Sequence, residues 1–254
     1  MIVPAVISLF AIMVLLVEVG RRIGSRRQPN ASEGAAAGLG AIEGAVFGLM
    51  GLMIAFTFSG AAARFDARRQ LIVQETNAIG TAYLRLSLLP ESAQSKLRED
   101  FRQYLDARLA YYRELPHDVA AASHEMDLAT ALQADIWKHA VEATRQIGPN
   151  AITWLVVQAL NDMIDITTTR AVALQTHPPS VVLGMLIALV FACSLLAGYG
   201  TAPNKTRSSV HTTAFAAILA VTIVIILDYE YPRLGVIRID PVDQVLAGLR
   251  KSMK

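Results

Sequence analysis

Four apolar runs set the pattern of this chain, at residues 2–19, 44–63, 181–200 and 212–227. Each is long enough, or nearly so, for a helix to cross a hydrocarbon layer of about 30 Å. None alternates with the ten-residue pattern of a membrane strand, so spanning requires helices. Between the second and third runs the period becomes amphipathic. One helix continues from the membrane to about Leu89 and stops at Pro90. A second, over 91–115, carries Leu97, Phe101, Tyr104, Leu105 and Tyr112 on one side. HDVAAAS reads as a connector, and Ser123 as the N-cap of a third helix to Ile147, with Met126, Leu128, Leu132 and Ile136 inward. Asn150 caps a fourth that reaches about Leu174, and His177-Pro178-Pro179 turns the chain back toward the membrane. No strand pattern or internal repeat is visible. The pattern predicts an all-α membrane protein: four transmembrane helices with a helical extramembrane domain between the second and third. The expected divisions are 1–63 (helices one and two with a basic connector), 64–178 (the helical domain), 179–229 (helices three and four) and 230–254 (a C-terminal tail).

The second run is the distinctive one. Residues 44–63 carry no charge, and small residues recur every four positions, at Gly40, Gly44 and Gly48 and again at Gly51, Ala55 and Ser59. Such rows let helix backbones approach closely in lipid. Arg64, Phe65, Arg68 and Arg69 follow where the helix leaves the membrane, cations toward water and the aromatic at the interface. Glu43 is expected to open the helix, where the dipole favours a carboxylate. Two readings of it stand, a headgroup-level carboxylate and a residue at a pore mouth.

Composition agrees with a membrane class: 54% of the residues are hydrophobic and 17% charged, with a net charge of +2. The basic residues flank apolar runs instead of forming one patch, which argues against nucleic acid as a partner. Arg21, Arg22, Arg26 and Arg27 after the first run, with Lys205 and Arg207 after the third, favour the cytoplasm for those loops. Arg64, Arg68, Arg69, Arg250, Lys251 and Lys254 weigh for the opposite sidedness. Cys193, the sole cysteine, lies inside an apolar run and reads as a small buried hydrophobe.

Catalytic patterns are missing from the sequence. Gly38, Gly40 and Gly44 follow no strand, so they are not a phosphate-binding loop. His117 and His124 stand seven apart around a break, which is not a metal-ligand spacing. No nucleophile elbow or fixed carboxylate pair is present, so the expectation is no enzyme, no cofactor and no metal. Asn161, Asp162, Asp165, Thr167, Thr168, Thr169 and Arg170 form a polar row on the fourth domain helix, either a solvated or inter-subunit face or a wall lining an ion path.

Three stretches carry a resemblance: AFTFSGAAARFDARRQLIVQETNAIGTAYLRLSLLP, NDMIDITTTRAVALQTHPP and ILDYEYPRLGVIRID. They resemble the bacterial bestrophin-like proteins, a domain family of unknown function, over nearly the whole chain. By name that family is similar to the bestrophins, which are pentameric anion-selective channels. The resemblance implies a homo-oligomer, with a pentamer favoured, in the bacterial inner membrane. The lipid bilayer and ions would be its partners, and its helical domain would lie in the cytoplasm. It also implies a pore helix that passes from a hydrophobic neck to an arginine-aromatic pair, here Arg64-Phe65. Eight residues before that arginine is Phe56; one turn earlier lies Leu52, then Gly48. Phe56 and Leu52 would form the gate, and Arg64 and Arg68 below it would attract anions, with Glu43 as a further pore charge. Gly48 departs from the bulky neck residue of bestrophins, and only Asp240 and Asp243 remain of the acidic run that forms their calcium clasp. A second class of function stays open beside the channel: a non-conducting scaffold or signalling protein whose helical domain binds a partner.

Overall fold

The computed structural model of the chain describes residues 2–27, 33–202 and 209–253. Lys205, Arg207 and Lys254 lie outside the described residues, as does the side chain of Arg27. Among the described residues, eight α-helices follow in order: α1 (Ile2–Arg27), α2 (Glu33–Arg85), α3 (Glu91–Glu114), α4 (Val119–Ile147), α5 (Ala151–Gln175), α6 (Ser180–Gly200), α7 (Ser209–Glu230) and α8 (Asp240–Ser252), with a 3-10 turn at Leu86–Leu88. The fold is all-helical, and among the described residues four helical stretches are long and apolar enough to span a membrane: Pro4–Arg26, Gly40–Leu88, Ala151–Gly200 and Val210–Glu230.

The chain divides into two compact units, Met1–Phe65 with His177–Ile237, and Asp66–Thr176 with Arg238–Lys254. In the first, α1 and α6 cross at very short range. A methyl group on Gly20 would overlap the backbone of Leu195, and one on Gly198 the carbonyl of Val17. Only glycine allows this approach, which gives dispersion and close packing in a setting where apolar transfer drives little. Met13, Met50, Leu186, Val190, Cys193 and Ile223 form the core beside that crossing. Cys193 is fully buried there, as expected of a small hydrophobe.

The second unit packs α3, α4, α5 and α8 around the later part of α2. Leu97, Phe101, Tyr104, Leu105 and Tyr112 of α3 are all buried, as their spacing predicts. α2 ends at Arg85 because Leu89, which precedes Pro90, is extended at φ −85° and ψ 162°. Asn150 caps α5 by accepting from the Thr153 amide at 3.0 Å.

Several expectations need correction. α4 starts at Val119, not near Ser123. Asp118 caps it by accepting from the amides of Ala120 and Ala121, and the alanines that follow are strong helix formers. Leu128 is 44% exposed because the buried stripe of α4 passes through Ala122, Ala129, Leu132, Ile136 and Ala140 instead. Glu43 does not open the second helix, which begins ten residues earlier at Glu33 in an alanine- and glycine-bearing stretch without a breaker. The arginine connector after the first run starts as helix, since α1 reaches Arg27. The stretch read as a C-terminal tail contains α8, whose Leu246 is fully buried. Arg250 of α8 donates to both oxygens of Asp106 on α3, at 2.8 and 2.9 Å. That hydrogen bonding raises the Arg250 pKa further, so the tether stays charged throughout the physiological range.

Candidate functional site

α2 is covered unevenly. Met50, Thr57, Ala61 and Phe65 are buried, four to seven residues apart, along one side. The other side is open: the most apolar window of Gly40–Leu88 is only 6% buried within the chain, against 28% for that of Val210–Glu230. Gly48, Leu52 and Phe56 all lie on the open side, with Leu52 52% and Phe56 66% exposed. Around Gly40, Gly44, Gly48 and Gly51 nothing stands within 4 Å of where a Cβ would be. Among the described residues of this unit, none fills the space beside those glycines. A helix can present such a face in lipid, or to a second copy.

At the end of this run the charges are already engaged. Arg64 donates to Glu230 from Nε and Nη2, at 3.0 and 2.8 Å to Oε2. The Glu230 side chain is 2% exposed and that of Arg64 26%. Nδ1 of His177 lies 2.8 Å from the other Glu230 oxygen, and the His177 ring stacks on Tyr231. Glu230 thus joins the final turn of α7 to α2 and to the His-Pro-Pro segment before α6. Phe65 is not an exposed interfacial ring. It is buried with its edge against Tyr229, 5.3 Å between centroids, and Phe58 meets the same tyrosine at 5.5 Å.

Arg68 is 4% exposed and serves α5 instead of open water. Its Nε donates to the Ala173 carbonyl at 3.0 Å and its Nη2 to that of Thr176 at 2.9 Å, two of the orphan acceptors at a helix C-terminus. Arg69 is exposed and pairs with Asp66 at 3.5 Å. Glu43 is half-buried, and its carboxylate rests on the end of α6: a methyl on Gly200 would stand 2.7 Å from it.

The polar row of α5 divides between two faces. Asn161, Asp162, Asp165, Thr168 and Thr169 are exposed. Thr167 faces inward, within hydrogen-bond distance of Gln133 and Tyr104. Arg170 is buried with Arg108 around Glu75, an ion cluster that the sequence reading did not find. Its only signal was charge at core positions of otherwise apolar stripes. Glu230 and His177 were missed as partners for a similar reason: they lie 53 positions apart, each at the end of an apolar run.

Beside Arg64 a cleft of about 420 Å³ opens between α2, α6 and α7, lined by Met53, Phe56, Val182, Met185 and Leu227 among others. No group of three or more metal-ligating side chains occurs among the described residues.

No curated protein matches the chain. Solved structures do. The fold is similar to crystal structures of variants of a bacterial bestrophin homologue from Klebsiella pneumoniae, at a TM-score of 0.67 and 12% identity, over 97% of each chain for one. A second gives the same score and identity over 96% of this chain and 98% of that one. A third gives 0.65 and 12% over 99% and 96%. The Bestrophin-like domain matches residues 5–244, and the chain belongs to the Bestrophin-like family.

Proposed function

We propose that the protein is an oligomeric ion channel of the membrane in which α2 of each subunit lines a central axis, with Leu52 and Phe56 forming the hydrophobic neck and Gly48 widening its mouth. One observation carries this reading: the open side of α2 holds the neck residues and the small-residue rows together, exposed among the described residues of its unit. A ring of Phe and Leu side chains around a narrow passage stops ions by dewetting, and nearby charge decides which ions pass when it opens. The likeness of this family to the bestrophins favours a pentamer and anion conduction. The geometry makes the anion preference modest, because Glu230 offsets Arg64 and Arg68 is committed to α5. The helical unit would lie in the cytoplasm of a bacterial cell, and a reporter fused to the C-terminus tests that side.

Purified protein in planar bilayers is expected to pass current that rises when Phe56 or Leu52 is cut to alanine. Silence from both variants and the parent, in a well-folded oligomer, would end the channel reading. A scaffold reading has one observation of its own. The α3–α4 groove, about 630 Å³ and lined by Leu109, Leu128 and Leu132 with Asp106 and Glu125, offers an amphipathic surface to a partner. Co-purification of a stoichiometric partner lost on Leu128→Asp would favour it.

A further inference from the structure

The cleft between α2, α6 and α7, which shares Phe56 and Arg64 with the proposed neck and its charges, has the shape of a ligand site. Its volume of about 420 Å³ lies within the range of small-ligand pockets. Its lining is apolar apart from Thr57, Arg64 and Glu230. Thr57 adds little polarity, since its hydroxyl donates back to the carbonyl of Met53 at 2.7 Å. The wall from Met53 to Arg64 rises about 16 Å along α2, roughly half the hydrocarbon layer and so the depth of one leaflet. Val181 is 76% and Met185 45% exposed, which leaves the flank open to the bilayer.

The polar end is asymmetric. Glu230 sits behind with a side chain 2% exposed, while Arg64 in front is 26% exposed. His177 is 33% exposed on the same carboxylate. What the cluster presents outward is the guanidinium edge of Arg64, so an approaching anion meets a donor before it meets the buried carboxylate. From this we infer that the cleft holds one acyl chain of a bilayer phospholipid, with the anionic phosphate at the exposed edge of Arg64. The inference stands whether or not the protein conducts, and is read by binding alone.

The test titrates delipidated protein in detergent with phosphatidylglycerol or phosphatidylcholine, counting bound lipid by native mass spectrometry. One phosphatidylglycerol per protomer is expected to bind most tightly. Met185→Trp, which displaces about two methylenes from the cleft, should weaken it about tenfold. Ile218→Trp, on the exposed surface of α7 two turns away, should leave it unchanged. Arg64→Gln should erase the preference between headgroups while the chain still binds; if that variant does not fold, Met185→Trp and the wild-type headgroup comparison decide. Wild-type affinity in Met185→Trp, or equal affinity of the wild type for both lipids, would overturn the assignment. So would Val181→Cys cross-linking two protomers with no lipid retained, which would give the cleft to a second copy.

Discussion

Glu75 holds two buried cations at once. Arg108 donates to one of its oxygens from Nε at 2.8 Å, and Arg170 reaches the other. Arg108 also meets the Tyr112 hydroxyl, and the Arg170 guanidinium lies 4.0 Å above the Tyr112 ring. Glu75 is fully inaccessible, so the pairing must compensate for desolvation on all three groups. Glu75→Gln leaves both guanidinium groups buried beside a neutral amide. It is expected to cost about 3–5 kcal/mol of stability, read as a lower denaturation midpoint in detergent. Combining it with Arg108→Met should cost less than the sum of the two, because each replacement removes the other's unpaired charge. Arg68 works through geometry more than burial. Arg68→Ala strips two carbonyls of α5 of charged donors and should cost about 1.5–3 kcal/mol, with faster amide exchange confined to the last turn of α5. A solvated Arg68, the alternative, would leave that exchange unchanged.

Among the elements, the α1–α6 crossing is the least tolerant. A Cβ on Gly198 would occupy the space of the Val17 carbonyl, and backbone cannot yield as a flexible side chain can. Gly198→Ala should therefore separate α1 from α6 and lower the thermal midpoint of the purified protein, whereas Gly184→Ala, with open space around it, should not. The sequence made most elements legible because apolar runs and proline breaks are local signals. Pro90, Asn150 and His177-Pro178-Pro179 mark boundaries that appear as written. Where it misled, a non-local or competing choice decided. Ser123 and Asp118 are both competent caps, and the alanines between them let the earlier one act. α8 is amphipathic but short, and it is held by Leu246 and by the Arg250 pair to Asp106, about 140 residues earlier in the chain. At the candidate site, the open face of α2 was legible from its glycines. The fate of Arg64, Phe65 and Arg68 was not, since each is set by a residue more than 100 positions away.

For the whole molecule, selectivity of the proposed channel turns on how much of the Arg64 charge its counter-ion leaves. At 2.8 Å the Glu230 carboxylate cancels most of the field that a bare guanidinium would project. Because Glu230 is buried behind Arg64 and bulk ions cannot replace it, screening by salt will not undo that cancellation. Glu230→Gln keeps the shape and an acceptor oxygen while removing the charge, and a symmetric ring multiplies the change by the number of subunits. Reversal potentials under a chloride gradient should then shift toward the chloride equilibrium value relative to the parent, and Arg64→Gln should shift them the other way. The oligomer must survive for either reading to count, so elution volume is measured on the same samples. If both variants conduct with the parent's reversal potential, Arg64 does not face the ions, and the charges that select lie elsewhere along the open side of α2.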